Sequence, residues 1–247
     1  MIFIVNAENR RFLGSDLLQM YRHRKAVFVD GLGWNVPHAG GLEMDRYDRE
    51  DTIYLIARHR GEREIQASAR LLPTLGPHLM SDVFPHALHG GVPRGARIWE
   101  ASRFCPAPGL GGRRVRLALL WEVLCGVMET SLLFGVERIV FMAGAALLPL
   151  ALRCGWDAAV LGPTLLDGND RVTAVGVDVT PRGLRSIRER FDVPGPVTRF
   201  VTPAGGVAAR LGWLGQYEAA IPAHPPASAR QDDDCHAHEY FPPPPSR

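Results

Sequence analysis

The segment Arg113 to Phe134 constrains the fold more than any other. It is the longest stretch with helical patterning, and the apolar run Leu117 to Val136 within and beyond it is interrupted only by charged Glu122 and Glu129. Those two glutamates stand two helical turns apart, on one face of a helix, and a paired charge there argues against burial in lipid. The pattern predicts a soluble amphipathic helix against which the rest of the chain must build a core. With 247 residues, 46% of them hydrophobic, one sizeable core is available. A single domain over residues 1–221 with one active site is expected, followed by a tail at 222–247.

The flanking patterns say what packs on that helix. Met1 to Val5 reads as a strand, and Ser15, with LLQMYRHRKAVF from Leu17, as a capped helix with Leu17, Leu18, Tyr21 and Phe28 inward. The stretch Asp30 to Asp51, with its glycines and with Trp34, Glu43, Asp45 and Asp48, is too long for a simple connection, and long ordered loops usually carry function. TIYLIARHR from Thr52, EIQASARLL from Glu64 and ARIWEASRF from Ala96 predict three antiparallel strands, with a short helix capped by Ser81 crossing between the last two. Pro106, Pro108, Gly109, Gly111 and Gly112 break the pattern before the long helix resumes. RIVFMA from Arg138 predicts a buried strand, Ala145 to Cys154 a helix closed by Gly155, and Ala158 and Val172 to Val179 further strands. Strands ending in Arg-Phe, a glycine loop and a long helix follow one another in the order of acetyltransferase-like folds. The fold class expected is therefore α/β: a mixed, mainly antiparallel sheet flanked by helices. The GLGG run at Gly109 to Gly112 either presents N–H groups to an anion or polarised carbonyl, or merely turns the chain.

Composition excludes several classes. The net charge is +2, Lys25 is the single lysine among 28 basic residues, and no basic run interleaves with aromatics, so nucleic acid is not an expected partner. Cys105, Cys125, Cys154 and Cys235 are far apart and form no CxxC pair, matching neither a zinc site nor a secreted disulfide framework. Asn6, Glu8, Asn9, Arg10 and Arg11 follow the apolar start too closely for a signal peptide, so a cytoplasmic chain without a membrane segment is expected. The last residues, rich in proline and short polar side chains, bury too little to fold, and their Asp232 to His238 cluster could at most bind a divalent metal weakly.

Arg24, Phe28 and Trp34, then EMDRYDRED, ARLLPT and IWEASRF, resemble the successive signature blocks of the acyl-homoserine-lactone synthases, the autoinducer synthase family. The resemblance runs from about Tyr21 to Phe104, with the later pattern in register to roughly Val179. Its signature set falls on Arg24, Phe28, Trp34, Asp45, Asp48, Arg70, Glu100 and Arg103, with no member replaced. The family's activity joins a thioester-bound fatty acyl group to the amine of S-adenosylmethionine, then closes the lactone with loss of methylthioadenosine, giving a quorum-sensing signal. Each residue type suits a part of that substrate: aromatic faces for the sulfonium, carboxylates for the ammonium, guanidinium for the carboxylate. The resemblance assigns substrate binding to Arg24, Phe28, Trp34, Asp45, Asp48, Arg70 and Arg103, and catalysis to Glu100, Arg103 and Asp45, with Glu100 the base that frees the amine. Competing readings are a structural ion-pair web for Asp48 and Arg70, core packing for Phe28 and Trp34, and a buried structural role for Glu100.

The acyl chain and its pantetheine arm are expected beside Phe104 and the start of the long helix, with backbone N–H groups near Ser102 to Phe104 or at the glycine loop meeting the developing oxyanion. Phe141 stands where family members making 3-oxo signals carry threonine, which implies an acyl group lacking that oxygen, short, branched or aromatic. Ala67 replaces a glycine common in the family. An acidic acyl-carrier protein, if that rather than acyl-coenzyme A is the donor, would dock on Arg113, Arg114, Arg116 and Arg153. A monomer with no cofactor and no metal is expected, S-adenosylmethionine being a co-substrate. An N-acetyltransferase using acetyl-coenzyme A would share the topology without needing the Trp34, Asp45, Asp48, Arg70, Arg103 set, and a non-catalytic binding module would not need Glu100.

Overall fold

The computed structural model describes residues 1–201 except Arg60 and Asn169, so the expected tail lies outside the described residues. Eight strands follow one path: β1 (Ile2–Val5), β4 (Ile53–Arg58), β5 (Ile65–Pro73), β6 (Ile98–Pro106), β7 (Arg138–Gly144), β10 (Asp170–Asp178) and β8 (Asp157–Val160), with β11 (Thr198–Phe200) outside β1. A ninth, β9 (Leu165–Asp167), pairs with β10, while β2 (His38–Ala39) and β3 (Leu42–Glu43) form a separate hairpin. All neighbours are antiparallel except β1 with β11 and β6 with β7. The mixed, mainly antiparallel sheet flanked by helices is thus the one the sequence predicts.

Helix α3 (Arg113–Leu133) makes the crossover between parallel β6 and β7, and the main core lies between it and one sheet face, from Ile2, Leu55 and Leu71 to Ile139 and Val175. Its environment differs from the amphipathic expectation: from Leu119 to Ser131 every residue but Glu122 is buried. The reason is a second cover, α5 (Pro181–Phe191), which packs on α3 with the Phe191 ring stacked 3.5 Å from that of Trp121. Close approach to the sheet also depends on Gly126, where a Cβ would stand 2.7 Å from Ile2 Cδ1. Glu129 is 1% exposed and accepts from Arg188 Nη2 at 2.7 Å, Thr198 N at 2.9 Å and Thr198 Oγ1 at 2.7 Å, tying edge strand β11 to the central helix.

The opposite face carries α1 (Gly14–Arg24) and α2 (Leu79–Asp82). The predicted helix running to Phe28 instead stops at Arg24 and widens into a π-helical turn, Lys25–Gly31. Leu18 proves 39% exposed, and the buried positions of α1 are Asp16, Met20 and Arg24. Ser81 does not cap α2; extended His78 does, with Ser81 on the third helical residue donating to the His78 carbonyl at 2.9 Å. α4 (Leu148–Arg153) is shorter than predicted, and Gly155 beyond it has a φ of +108°. Among the described residues no helix is long and apolar enough to cross a membrane. Cys105, Cys125 and Cys154 are free and buried, and burial pushes the latter two thiols up to about 12.

Candidate active site

The site grows from an irregularity in β6. Along a regular strand side chains alternate between faces. In β6 the register against β5 shifts between the pairs Arg70↔Ser102 and Ser68↔Cys105, so one extra residue bulges out. Arg103 sits in that bulge with a left-handed φ of +53°. For a non-glycine residue such a conformation costs about 1–3 kcal/mol and persists only where its surroundings hold it. What holds it is its guanidinium: Arg103 Nη2 donates to Glu43 Oε1 at 3.0 Å and to Asp45 Oδ2 at 2.8 Å. The bulge also divides two functions between neighbours, since Arg103 turns towards the α1 side of the sheet while Phe104 turns towards α3.

On the α1 side three arginines and three carboxylates form one closed network. Arg24 reaches down from α1 to Glu43 Oε2 at 2.5 Å and grips Asp48 with both terminal nitrogens at 2.8 Å. Arg70, projecting from β5, donates to Asp45 Oδ1 at 2.6 Å, to Asp48 Oδ1 at 3.1 Å and to Ser102 Oγ at 3.0 Å. Its Nη2 is buried without a partner. Planar guanidinium forks permit this sharing, which point-charge ammonium groups would not. Burial raises the Asp48 carboxyl, but Arg24 and Arg70 outweigh that and hold it well below the carboxylate range. Tyr54 adds a donor to Asp48 at 2.9 Å, and burial followed by the Asp48 charge raises its phenol well above the ordinary value.

The carboxylates arrive on a short hairpin. Gly40 and Gly41 take φ values of +57° and +80°, which a tight β2–β3 turn requires, and the turn delivers Glu43 between Arg24 and Arg103. Asp45 and Asp48 then lock each other, the Asp45 N–H donating to Asp48 Oδ2 at 2.8 Å.

Above the network lie the aromatic residues. The π-helical turn lets the Trp34 N–H reach the Phe28 carbonyl at 2.8 Å, and the two rings stack at 4.8 Å, 12° from parallel. They form one stacked pair: Phe28 is buried while Trp34 is 42% exposed, with its outer face towards solvent. The Arg103 guanidinium carbon lies 5.5 Å from the Phe28 ring centre and 5.8 Å from that of Trp34.

Glu100 stands apart from this web. It lies on β6 two residues before Ser102, roughly 7 Å along the strand, and its two oxygens accept the N–H groups of Leu79 at 3.0 Å and Met80 at 2.6 Å. Burial pushes its carboxyl up to about 7 against those two hydrogen bonds.

On the α3 side β6 and β7 pair at only three positions, ending at Glu100↔Val140, although both strands run on. They splay apart, and the narrow cleft between them is lined by Ala101, Phe104, Leu124, Phe141, Leu147 and Trp156 among others. Every lining side chain there is hydrophobic, and Phe104 and Phe141 both line this cleft. Arg114 and Arg153 are exposed, whereas Arg113 and Arg116 are half-buried.

Arg24, Phe28, Trp34, Asp45, Asp48, Arg70 and Arg103 therefore converge, with Glu100 one step away along the strand. Sequence reasoning missed Glu43, which is wholly buried and bridges two of the arginines. Its place at the head of the acidic EMDRYDRED block was the available signal. Tyr54 and Ser102 carried none, being an aromatic and a hydroxyl in ordinary strand patterns.

Comparison with known proteins agrees with this geometry. Residues 9–186 match the family model described as autoinducer synthase. An acyl-homoserine-lactone synthase of Ralstonia solanacearum is 36% identical over 192 residues, 73% of this chain and 90% of its own length. An isovaleryl-homoserine lactone synthase of Bradyrhizobium diazoefficiens is 32% identical over 196 residues, 78% of this chain and 87% of its own. The solved structure of a CoA-dependent acyl-homoserine lactone synthase, BjaI, with SAM and isopentyl-CoA superposes with a TM-score of 0.74 at 30% identity, covering 87% of this chain and 99% of that one.

Proposed function

This chain belongs to the autoinducer synthase family and is an acyl-homoserine-lactone synthase; we propose that it takes a compact acyl group from an acyl-coenzyme A thioester, on the site just described. The observation that carries the proposal is the bulge that sets Arg103 against the polar network and Phe104 into the apolar cleft. The two substrates thereby meet across one strand.

S-adenosylmethionine lies with its sulfonium against the exposed face of Trp34, where an indole attracts a cation. Arg103 and the partnerless Nη2 of Arg70 face its carboxylate, and Asp45 its ammonium. Glu100, acting through a water, accepts the proton that frees the amine; a carboxyl poised at about 7 suits that task near neutral pH. The amine attacks the thioester carbonyl, and N–H groups freed from the ladder at the bulge stabilise the oxyanion before the thiol departs. The carboxylate oxygen of the new amide then attacks the carbon next to sulfur. That C–S bond breaks, and its electron pair leaves on neutral methylthioadenosine. Neither step changes an oxidation state, so the reaction calls on no redox cofactor, and S-adenosylmethionine is consumed as a co-substrate.

Three features favour a compact acyl group without a 3-oxo oxygen: the all-apolar cleft, the Phe141 ring in place of a hydroxyl, and Trp156 tilted against that ring at 6.2 Å. Likeness to an isovaleryl-homoserine lactone synthase and to a CoA-dependent one supports both the acyl class and the donor. Exposed Arg114 and Arg153 remain the contacts for an acidic carrier protein if one competes. We further propose that the enzyme works as a cytoplasmic monomer. The test is incubation of purified protein with S-adenosylmethionine and matched coenzyme A and carrier-protein thioesters, with lactones identified by mass spectrometry. Branched or short acyl-homoserine lactones from coenzyme A donors are expected; turnover confined to carrier-protein donors or to 3-oxo chains contradicts the proposal.

A further inference from the structure

Behind the acyl cleft lies a second cavity. It is a small hollow, partly open to solvent, between β5, the end of β6 and α3, with Ala67, Ser68, Cys105, Arg116, Leu119 and Val123 among its walls. Two side chains, Phe104 and Leu120, line both this cavity and the cleft between β6 and β7. Leu120 belongs to the buried face of α3 and is packed from both sides. Phe104 is only half-buried and stands on the part of β6 that has parted from β7, so its ring is the movable one of the two. It occupies this position because the Arg103 bulge reverses the alternation of β6; a regular strand would have turned Phe104 to the α1 side.

We propose, resting on the synthase reading above, that Phe104 is the partition that limits acyl length, and that the cavity behind it accepts the distal methylenes of a straight chain once that partition is removed. With the ring in place the cleft ends at Phe104, and an acyl group must be short or branched to fit. With the ring trimmed, cleft and cavity become one apolar channel running beneath β6 along α3. The linings suit this occupant, since the cleft is wholly apolar and the second cavity is apolar along α3 at Leu119, Leu120 and Val123, with Ser68 and Arg116 as its polar walls, and one methylene in an apolar pocket changes specificity by roughly tenfold or more.

The test compares kcat/KM for straight-chain acyl-coenzyme A donors of increasing length in the unaltered chain, Phe104→Ala, Phe104→Leu and the double variant Phe104→Ala with Ala67→Leu. Phe104→Ala should move the length cut-off to longer donors and raise the long-to-short ratio about tenfold or more, with Phe104→Leu intermediate. Ala67→Leu, which touches the second cavity and not the cleft, should restore the shorter cut-off. An unchanged length profile in folded Phe104→Ala and Phe104→Leu overturns the proposal. So does a uniform loss across all donors, or a longer cut-off that Ala67→Leu fails to reverse. Absence of lactone from the unaltered chain with every donor would instead strike down the synthase reading, and this proposal with it.

Discussion

Trp34 and Arg103 face the same substrate in the proposed binding mode, yet their replacements should behave differently. Trp34 is 42% exposed and its ring stacks on Phe28 at the rim of the site, with the Arg103 guanidinium near its edge of the stack, so Trp34→Ala should lower the melting temperature only slightly. It should lower kcat/KM about thirtyfold, the worth of roughly 2 kcal/mol for a cation on an indole face. Arg103 is held by Glu43 and Asp45, so Arg103→Ala leaves buried carboxylates underpaired besides removing the proposed contact with the substrate carboxylate. Glu43→Gln makes the complementary point: it strands charge on Arg24 and Arg103 and should cost about 3–5 kcal/mol in denaturant unfolding. The signature residues were legible because each bears a group that S-adenosylmethionine needs. Glu43 was not, because its work is to neutralise two arginines that lie far from it in sequence and meet it only in the fold.

At the scale of elements, α3 carries the lesson. Its length and position were plain from the run Arg113 to Phe134, but its spaced glutamates read as one solvated face. They are separate: Glu122 pairs loosely with the amino terminus, 37% exposed, while Glu129 is buried under β11. The cover responsible, α5, had its own signals in the Thr180 cap, Pro181 and the spacing of Leu184, Ile187 and Phe191, beyond the point where the strand pattern was followed. Glu129→Ala should release β11 and leave Arg188 and two backbone donors underpaired, costing about 3 kcal/mol measured as a fall in unfolding free energy. The bulge in β6 was invisible in sequence, since IWEASRF alternates acceptably as a regular strand and only the pairing with β5 exposes the extra residue.

Across the whole molecule, two carboxyls tune the response to pH in opposite directions. Asp48 is held below its unfolded value of 3.8, so its stabilisation is complete above that pH and is lost as pH falls towards its folded value. Glu100 is raised from 4.5 to about 7, so its contribution favours the folded state below pH 4.5 and disappears as pH rises through 7, a change of about 3 kcal/mol. Relative to the unaltered chain, Glu100→Gln should therefore gain stability across that interval in chemical denaturation. If Glu100 is the base proposed above, its ionised form is the one that accepts the amine proton, so kcat/KM of the unaltered chain should climb through pH 7, and Glu100→Gln should lose that limb of the profile.

The most direct measurement is a crystal structure of the chain with S-adenosylmethionine bound. The sulfonium is expected against the exposed face of Trp34, the carboxylate beside Arg103 and Arg70, and the apolar cleft at Phe104 and Phe141 open for the acyl group. Ligand bound elsewhere, with Trp34 untouched and the arginine–carboxylate network unapproached, would contradict this binding mode.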